Sequence, residues 1–151
     1  MADFVDILLR QDSEGVYDIN VLDSGDLEGT DGFDTSIIMS IETDARASAD
    51  EVSLPQLRRG SVTDIFYPDE QIGSKVWLTD QSRLTQSVLN DRKDAVIKSL
   101  EWMVTLGYAT RIESSQVQFI NQQAFISVTI VRPNGNVQTQ LITLWENTAN
   151  A

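Results

Sequence analysis

Residues 88–107 read Val88-Leu89-Asn90-Asp91-Arg92-Lys93-Asp94-Ala95-Val96-Ile97-Lys98-Ser99-Leu100-Glu101-Trp102-Met103-Val104-Thr105-Leu106-Gly107. Val88, Leu89, Val96, Leu100, Met103 and Val104 form one apolar stripe at a spacing of 3.6 residues. Arg92, Lys93, Asp94, Lys98 and Glu101 fall largely off it. The pattern predicts an amphipathic helix near residues 81–106, with Gly107 placed as its C-cap. Everything that follows reads as sheet. One strand is expected over residues 109–119. Residues 124–132 and 137–145 read as a hairpin around Asn134-Gly135, a strong turn signal. A two-residue loop there sets Val128 opposite Leu141 and Ala124 opposite Trp145. Ile126, Val128, Ile130, Leu141 and Trp145 then share one face.

Upstream the signals are shorter. Residues 4–9 are a small apolar patch, and residues 16–22 alternate roughly as a strand. Residues 23–32, with three glycines and four acids, carry loop chemistry. A second helix is expected to start near Asp34, capped by Asp34 or Thr35, with Ile37, Ile38 and Ile41 on one face and an end by Ala47. Residues 48–72 contain Pro55 and Pro68 and read as mostly irregular, a length that suggests a functional loop. Residues 73–79 open either a short helix or a turn. The expected architecture is α+β: a long central helix packed on a small antiparallel C-terminal sheet of about three strands, preceded by an acidic N-terminal arm with its own short strand and helix elements. The arm is placed at residues 1–33, and a single domain at 34–151.

The chain has 151 residues, a length that suits one domain with a real core. Its net charge is −12, and the excess is confined to the first third. Residues 1–51 hold 14 acids against Arg10 and Arg46, whereas residues 52–151 hold nine charges of each sign. Such a segment disfavours nucleic acid as a partner and suits a basic protein surface. The start is acidic where a secretory signal is basic, and no apolar run approaches the roughly 18 residues of a membrane span. The chain is expected to be made and kept in the cytosol unless a larger assembly carries it out. With no Cys and no His, it lacks the residues for a thiol nucleophile, a His-based triad or a typical zinc site. The acids of residues 23–34 do not follow the EF-hand spacing, since Gly25 and Leu27 occupy ligand positions. Gly25, Gly29 and Gly32 form no phosphate-cradling pattern. No cofactor is expected.

Three features point to binding. Arg58-Arg59, the one adjacent basic pair, lies in the long irregular segment and could dock on a partner's carboxylates or simply be solvated. Arg111 opens the first C-terminal strand, where it could face water or pair with Glu113 or Glu101. Trp77 and Trp102 read as core. A small sheet leaves open edges, which can accept a strand from another chain or be covered by the acidic arm.

The ordered series of motifs resembles the Mu-type phage baseplate protein family, a branch of the sheath-initiator (baseplate wedge) proteins of contractile tails. The residues that carry it are Asp6-Ile7-Leu8-Leu9 before Tyr17-Asp18-Ile19, then Gly32-Phe33-Asp34-Thr35 leading into Ile37-Ile38-Met39-Ser40-Ile41, and Thr43-Asp44-Ala45-Arg46-Ala47. Arg58-Arg59-Gly60 and Ile72-Gly73-Ser74-Lys75-Val76-Trp77-Leu78 follow. Ala95 to Trp102 resembles the family's central helix, and the strands end at Leu144-Trp145. Where wider sheath initiators carry Glu-Pro-Arg, this chain has Ala109-Thr110-Arg111, so Arg111 alone matches. Where they carry Phe-Gly-Ser, it keeps Gly73 and Ser74. The resemblance implies a structural part of the virion tail baseplate, not an enzyme, assembled in the host cytoplasm in several copies around a ring. Its implied partners are baseplate wedge proteins, the tail sheath protein and the central hub or tube, with no nucleic acid and no membrane. Arg58, Arg59, Gly73, Ser74 and Arg111 would meet wedge proteins. Val128, Ile130 and Leu141 would lie in the sheet that templates the first sheath ring by strand addition. Two other readings compete: a tail-associated peptidoglycan-cleaving enzyme built on a carboxylate pair, and a soluble acidic protein-binding module.

Overall fold

A computed structural model describes residues 6–11 and 16–147. Phe4 and Val5 of the expected apolar patch lie outside the described residues. The long helix α3 spans Gln86–Thr105. Thr85 caps it by accepting a hydrogen bond from the Val88 N–H at 3.2 Å, which satisfies one of the orphan donors of the first turn. Its C-terminus closes on Gly107, whose positive φ of 80° lets its N–H reach the Val104 carbonyl at 3.1 Å. Leu89, Val96, Leu100 and Met103 are buried as the stripe predicts. Val104 is not: it sits at 40% exposure, one residue past the face that meets the sheet.

Helix α1 spans Phe33–Glu42 and buries Ile37, Ile38 and Ile41 as expected. Its cap differs from the expectation. Gly32 is the N-cap at φ 83°, and Asp31 Oδ1 accepts the Phe33 N–H at 3.1 Å. Asp34 and Thr35 already belong to the first turn. They reach outward instead, Asp34 accepting from Gln138 and the Thr35 hydroxyl donating to the Ile7 carbonyl at 3.1 Å.

The C-terminal sheet contains β5 (Arg111–Ser114), β6 (Gln118–Ile120), β7 (Gln123–Val131) and β8 (Val137–Glu146). All pairings are antiparallel. β5 and β6 pair along one edge of β7, and β8 pairs along the other. The expected 109–119 strand is therefore broken. At the break the Ser115 hydroxyl accepts the Ser127 N–H at 3.0 Å, in place of a ladder partner. Asn121 and Gln122, at φ 49° and 63°, form the tight turn from β6 into β7, as a two-residue hairpin loop requires.

The register of the β7–β8 hairpin differs by one residue from the sequence expectation. Ser127, not Val128, faces Leu141, and Val128 faces Gln140. Pro133 lengthens the loop. Arg132 N–H donates to the Asn136 carbonyl at 2.8 Å, the Gly135 N–H donates to the Arg132 carbonyl at 3.0 Å, and Gly135 sits at φ 85°. This is the three-residue loop with glycine at the left-handed position. A one-residue slip moves a strand's inward set to the other face. Leu141 accordingly points outward at 60% exposure, while Ile142 and Leu144 are buried. A β-bulge then adds Leu144 between the Phe125–Thr143 and Ala124–Trp145 pairs, so the expected Ala124–Trp145 pairing holds and Trp145 packs against the core.

The core lies between the inner face of the sheet and helices α3 and α1. Ile126, Val128 and Ile130 from β7 meet Leu100 and Met103 of α3 and Ile37 of α1, all at 1% exposure or less. Each such side chain contributes about 1.5–3 kcal/mol through burial. Trp77 and Trp102 are half-buried at its margins, each with its indole N–H satisfied, on the Ala45 carbonyl and the Ser40 hydroxyl respectively, both at 2.9 Å.

Arg92, which the spacing places off the apolar stripe, is a staple. Its side chain is 11% exposed, and it donates to the carbonyl of the bulged Leu144 at 2.7 Å and to the Thr79 hydroxyl at 2.9 Å. A buried hydrogen bond from a charged donor is worth about 1.5–3 kcal/mol. Arg92→Ala is therefore expected to lower the free energy of unfolding in urea by about 2 kcal/mol. A loss within about 0.5 kcal/mol, the ordinary surface value, would mean that the bulge does not depend on it.

The acidic N-terminal segment folds into two small antiparallel pairs. β1 (Asp6–Ile7) pairs with β4 (Gly29–Thr30), and β2 (Leu9–Gln11) with β3 (Tyr17–Ile19). The expected 16–22 strand is thus confined to three residues plus a bridge between Val21 and Leu27. Arg132 fastens this segment to the sheet by an ion pair with Asp31 at 2.8 Å, while its guanidinium lies 3.7 Å over the Phe33 ring. Helix α1 ends at Glu42, before the expected Ala47, residues 48–72 are mostly irregular as expected, with a 3-10 turn at Pro55–Leu57 and the one-turn helix α2 at Thr63–Phe66, and the short helix or turn expected at 73–79 is a 3-10 turn at Val76–Thr79.

Candidate functional site

The sequence-predicted docking residues fall at different places in the fold: Arg58, Arg59, Gly73 and Ser74 in clamps, Val128 and Ile130 in the core, and Arg111 and Leu141 with exposed side chains. Ser74 is buried, its hydroxyl donating to the Ile41 carbonyl at 2.7 Å and its N–H to the Thr43 carbonyl at 2.8 Å. Its own carbonyl accepts the Ala45 N–H at 2.9 Å. These three bonds tie the chain leaving α1 to residues 73–79. Gly73 makes that approach possible: it lies at φ 112°, and a Cβ there would stand 2.3 Å from the Thr43 carbonyl oxygen.

Arg58 and Arg59 also work within the fold. Arg58 Nε donates to the Ala47 carbonyl at 2.6 Å, and Ala47 N–H donates back to the Arg58 carbonyl at 2.9 Å. Arg59 pairs with Asp44 at 2.8 Å, lies 3.9 Å from Asp80, and stacks 4.6 Å above the Trp77 ring. Its φ of 47° and the following Gly60 turn the chain sharply. Nearby, Lys75 pairs with Glu51 at 2.6 Å. The Lys75 ammonium, with the Ser48 hydroxyl and N–H, lowers the Glu51 carboxyl to about 2. That pairing contributes stability above the ordinary value of 4.5, and loses it as pH falls toward 2. Arg111, like Arg59, has an exposed side chain, and it pairs with Glu113 on its own strand at 2.6 Å, an exposed pair that contributes little to the fold.

Val128 and Ile130 cannot meet a partner through their side chains, because each is 1% exposed. Nor does β7 offer an edge, since it is paired on both sides. β8 forms one edge of the sheet, opposite the edge formed by β5 and β6. Among the described residues no strand pairs with its outer side. Three bonds fix which backbone groups point there. The Arg132 N–H donates to the Asn136 carbonyl across the hairpin, while Val131 and Ser127 accept from Thr110 and Ser115 on the opposite edge of β7. Antiparallel alternation then turns the N–H and C=O of Val137, Thr139 and Leu141 outward from β8. Leu141 is thus exposed in both side chain and backbone, although the sequence placed it on the inner face. Val137 is 62% exposed beside it. The hydroxyls of Thr129 and Thr139 meet at 3.1 Å on the same outer face.

Among the described residues no group of three or more acids is gathered to hold a metal ion. Two acids of residues 23–34 have partners of their own. Glu28 binds Arg10 and Asn20 and is held at about 2, and Asp31 is lowered by Arg132 and the Phe33 N–H.

Two similarities bear on this fold. The family described as Phage protein GP46 matches residues 33–137, from the first residue of α1 to the first residue of β8. The baseplate protein gp46 of Escherichia phage Mu is 30% identical over 118 residues, which cover 76% of this chain and 80% of the phage Mu protein. The matched span contains both helices of the core, the Gly73-Ser74 clamp and the central strand β7, and the chain belongs to the GP46 phage protein family, a Mu-type phage baseplate protein family.

Proposed function

We propose that this chain is a structural component of a phage tail baseplate, resident in the virion and not an enzyme. In this reading residues 34–151 form the working domain, and residues 1–33 an acidic arm that meets a basic neighbour. The tail is contractile, and the chain joins wedge proteins, with the hub or tube as a further neighbour. It is present in several copies around a ring assembled in the host cytoplasm. The β8 edge accepts a strand from the first ring of sheath subunits and so starts the sheath. The observation that carries the templating step is the open outer edge of β8, with the backbone groups of Val137, Thr139 and Leu141 turned to it. The phage Mu similarity supports the baseplate setting.

Two substitutions test the surfaces without disturbing the core. Leu141→Pro removes an outward N–H that makes no bond to β7, and proline is tolerated on an edge strand. It should leave the protein folded and reduce sheath-bearing particles in complementation. Sheaths of normal number and length with Leu141→Pro would remove the β8 edge from the assembly step. Arg111→Glu should change stability by less than about 1 kcal/mol, the surface-pair value, yet lower incorporation into particles. Normal incorporation would remove Arg111 from the wedge contact.

A further inference from the structure

A groove of about 700 Å³ runs between α1, the C-terminal turn of α3 and residues 69–72, away from the sheet edge. Its floor is apolar. Met39, Ile72 and Leu106 line it at 48%, 43% and 66% exposure. Trp102 lines it beside them, its indole held by the Ser40 hydroxyl at 2.9 Å and by an edge contact to Tyr108 with centroids 5.8 Å apart. The rim carries one sign of charge. Asp6, Asp69 and Glu70 line it, none of the lining residues is basic, and none of the three is ion-paired among the described residues.

We infer that this groove docks a cationic amphipathic helical segment of another protein, its apolar residues on Met39, Ile72, Trp102 and Leu106 and its lysines or arginines toward Asp69 and Glu70. The rim chooses the occupant. A second copy of this chain brings a net charge of −12 to an acidic rim and is repelled. A neutral apolar segment leaves three carboxylates facing no counter-charge. A basic amphipathic segment satisfies floor and rim together. Met39 adds an adaptable contact, because methionine is flexible and polarizable. The inference concerns a different surface from the β8 edge and stands whether or not that edge starts a sheath.

The test uses the full chain and a designed leucine–lysine peptide of about 18 residues, five helical turns, with leucines on one face. A serine–lysine peptide of equal charge is the control, and the reporter is the Trp102 indole N–H resonance, assigned through Trp102→Phe. The leucine–lysine peptide should shift that resonance, and the serine–lysine peptide should bind at least about tenfold more weakly, a difference of about 1.4 kcal/mol. Leu106→Asp, at an exposed position, and the double charge reversal Asp69→Lys with Glu70→Lys should each cost about tenfold. Binding should also weaken as salt rises. Equal binding of the two peptides, or binding indifferent to Leu106→Asp, would overturn the inference. So would self-association of the free chain that Leu106→Asp abolishes, which would make a second copy the occupant. A chain beginning at Asp6 that binds the peptide about tenfold more tightly would assign the groove to residues 1–5 instead.

Discussion

Gly73→Ala should destabilise the protein by about 3 kcal/mol or more, because two penalties fall on one position. The backbone at φ 112° lies in a region that residues with a Cβ rarely adopt. The added carbon would also stand 2.3 Å from the Thr43 carbonyl oxygen and 2.9 Å from the Ala45 nitrogen, both backbone atoms that cannot rotate away. Relief requires the two segments to part, which breaks the three hydrogen bonds through which Ser74 ties α1 to residues 73–79. At this chain length, 3 kcal/mol corresponds to a fall in melting temperature of about 6–12 °C. Gly107→Ala isolates the first penalty, that of the backbone. Its φ of 80° is also positive, but nothing lies within 4 Å of the added Cβ, so its cost should stay near 1–2 kcal/mol. Equal losses for the two substitutions in calorimetry would show that the close approach at Thr43 contributes nothing.

Val128→Pro should be costlier still, about 4 kcal/mol or more, since it combines several of the mechanisms behind large single-residue losses. Among the described residues β7 is the one strand of this sheet paired on both sides. The alternation that sends Ser127 toward Ser115 turns the Val128 N–H toward β8, where proline has no donor to offer. The side chain is 1% exposed, so the ring must also fit a packed core. Leu141→Pro is its counterpart on the outer edge of β8 and should cost about 1 kcal/mol, no more than ordinary substitutions do. Urea unfolding of the two variants reads strand order and register together. If Leu141→Pro were the more damaging, the Leu141 side chain would lie on the buried face opposite Val128, as in the register expected from Asn134-Gly135 alone.

That register shows where the sequence stopped being legible. The dipeptide Asn134-Gly135 marks a turn but does not set its length. Pro133 extends the loop to three residues, and one residue is enough to move Leu141 outward while leaving Val128 and Ile130 inward. The bulge at Leu144 then cancels the shift, which is why Ala124 and Trp145 pair as expected. Helix α3 and the buried isoleucines of α1 were readable because their burial repeats at the helical period and depends on local spacing. Arg92, Arg58, Gly73 and Ser74 were not. Arg92 reaches a carbonyl 52 residues away, and the Ser74 hydroxyl one 33 residues away. Neither distance leaves a local pattern. The resemblance to the family singled out Arg58-Arg59 and Gly73-Ser74 as docking motifs. The geometry gives the same residues bonds inside the fold, although the Arg59 side chain stays exposed, as do Arg111 and the β8 edge.

Immunogold electron microscopy of purified particles measures directly where the chain sits in a particle. An antibody to this chain should label the baseplate end of a contractile tail. Particles that stay unlabelled there, with the epitope shown accessible after dissociation, would contradict the baseplate assignment.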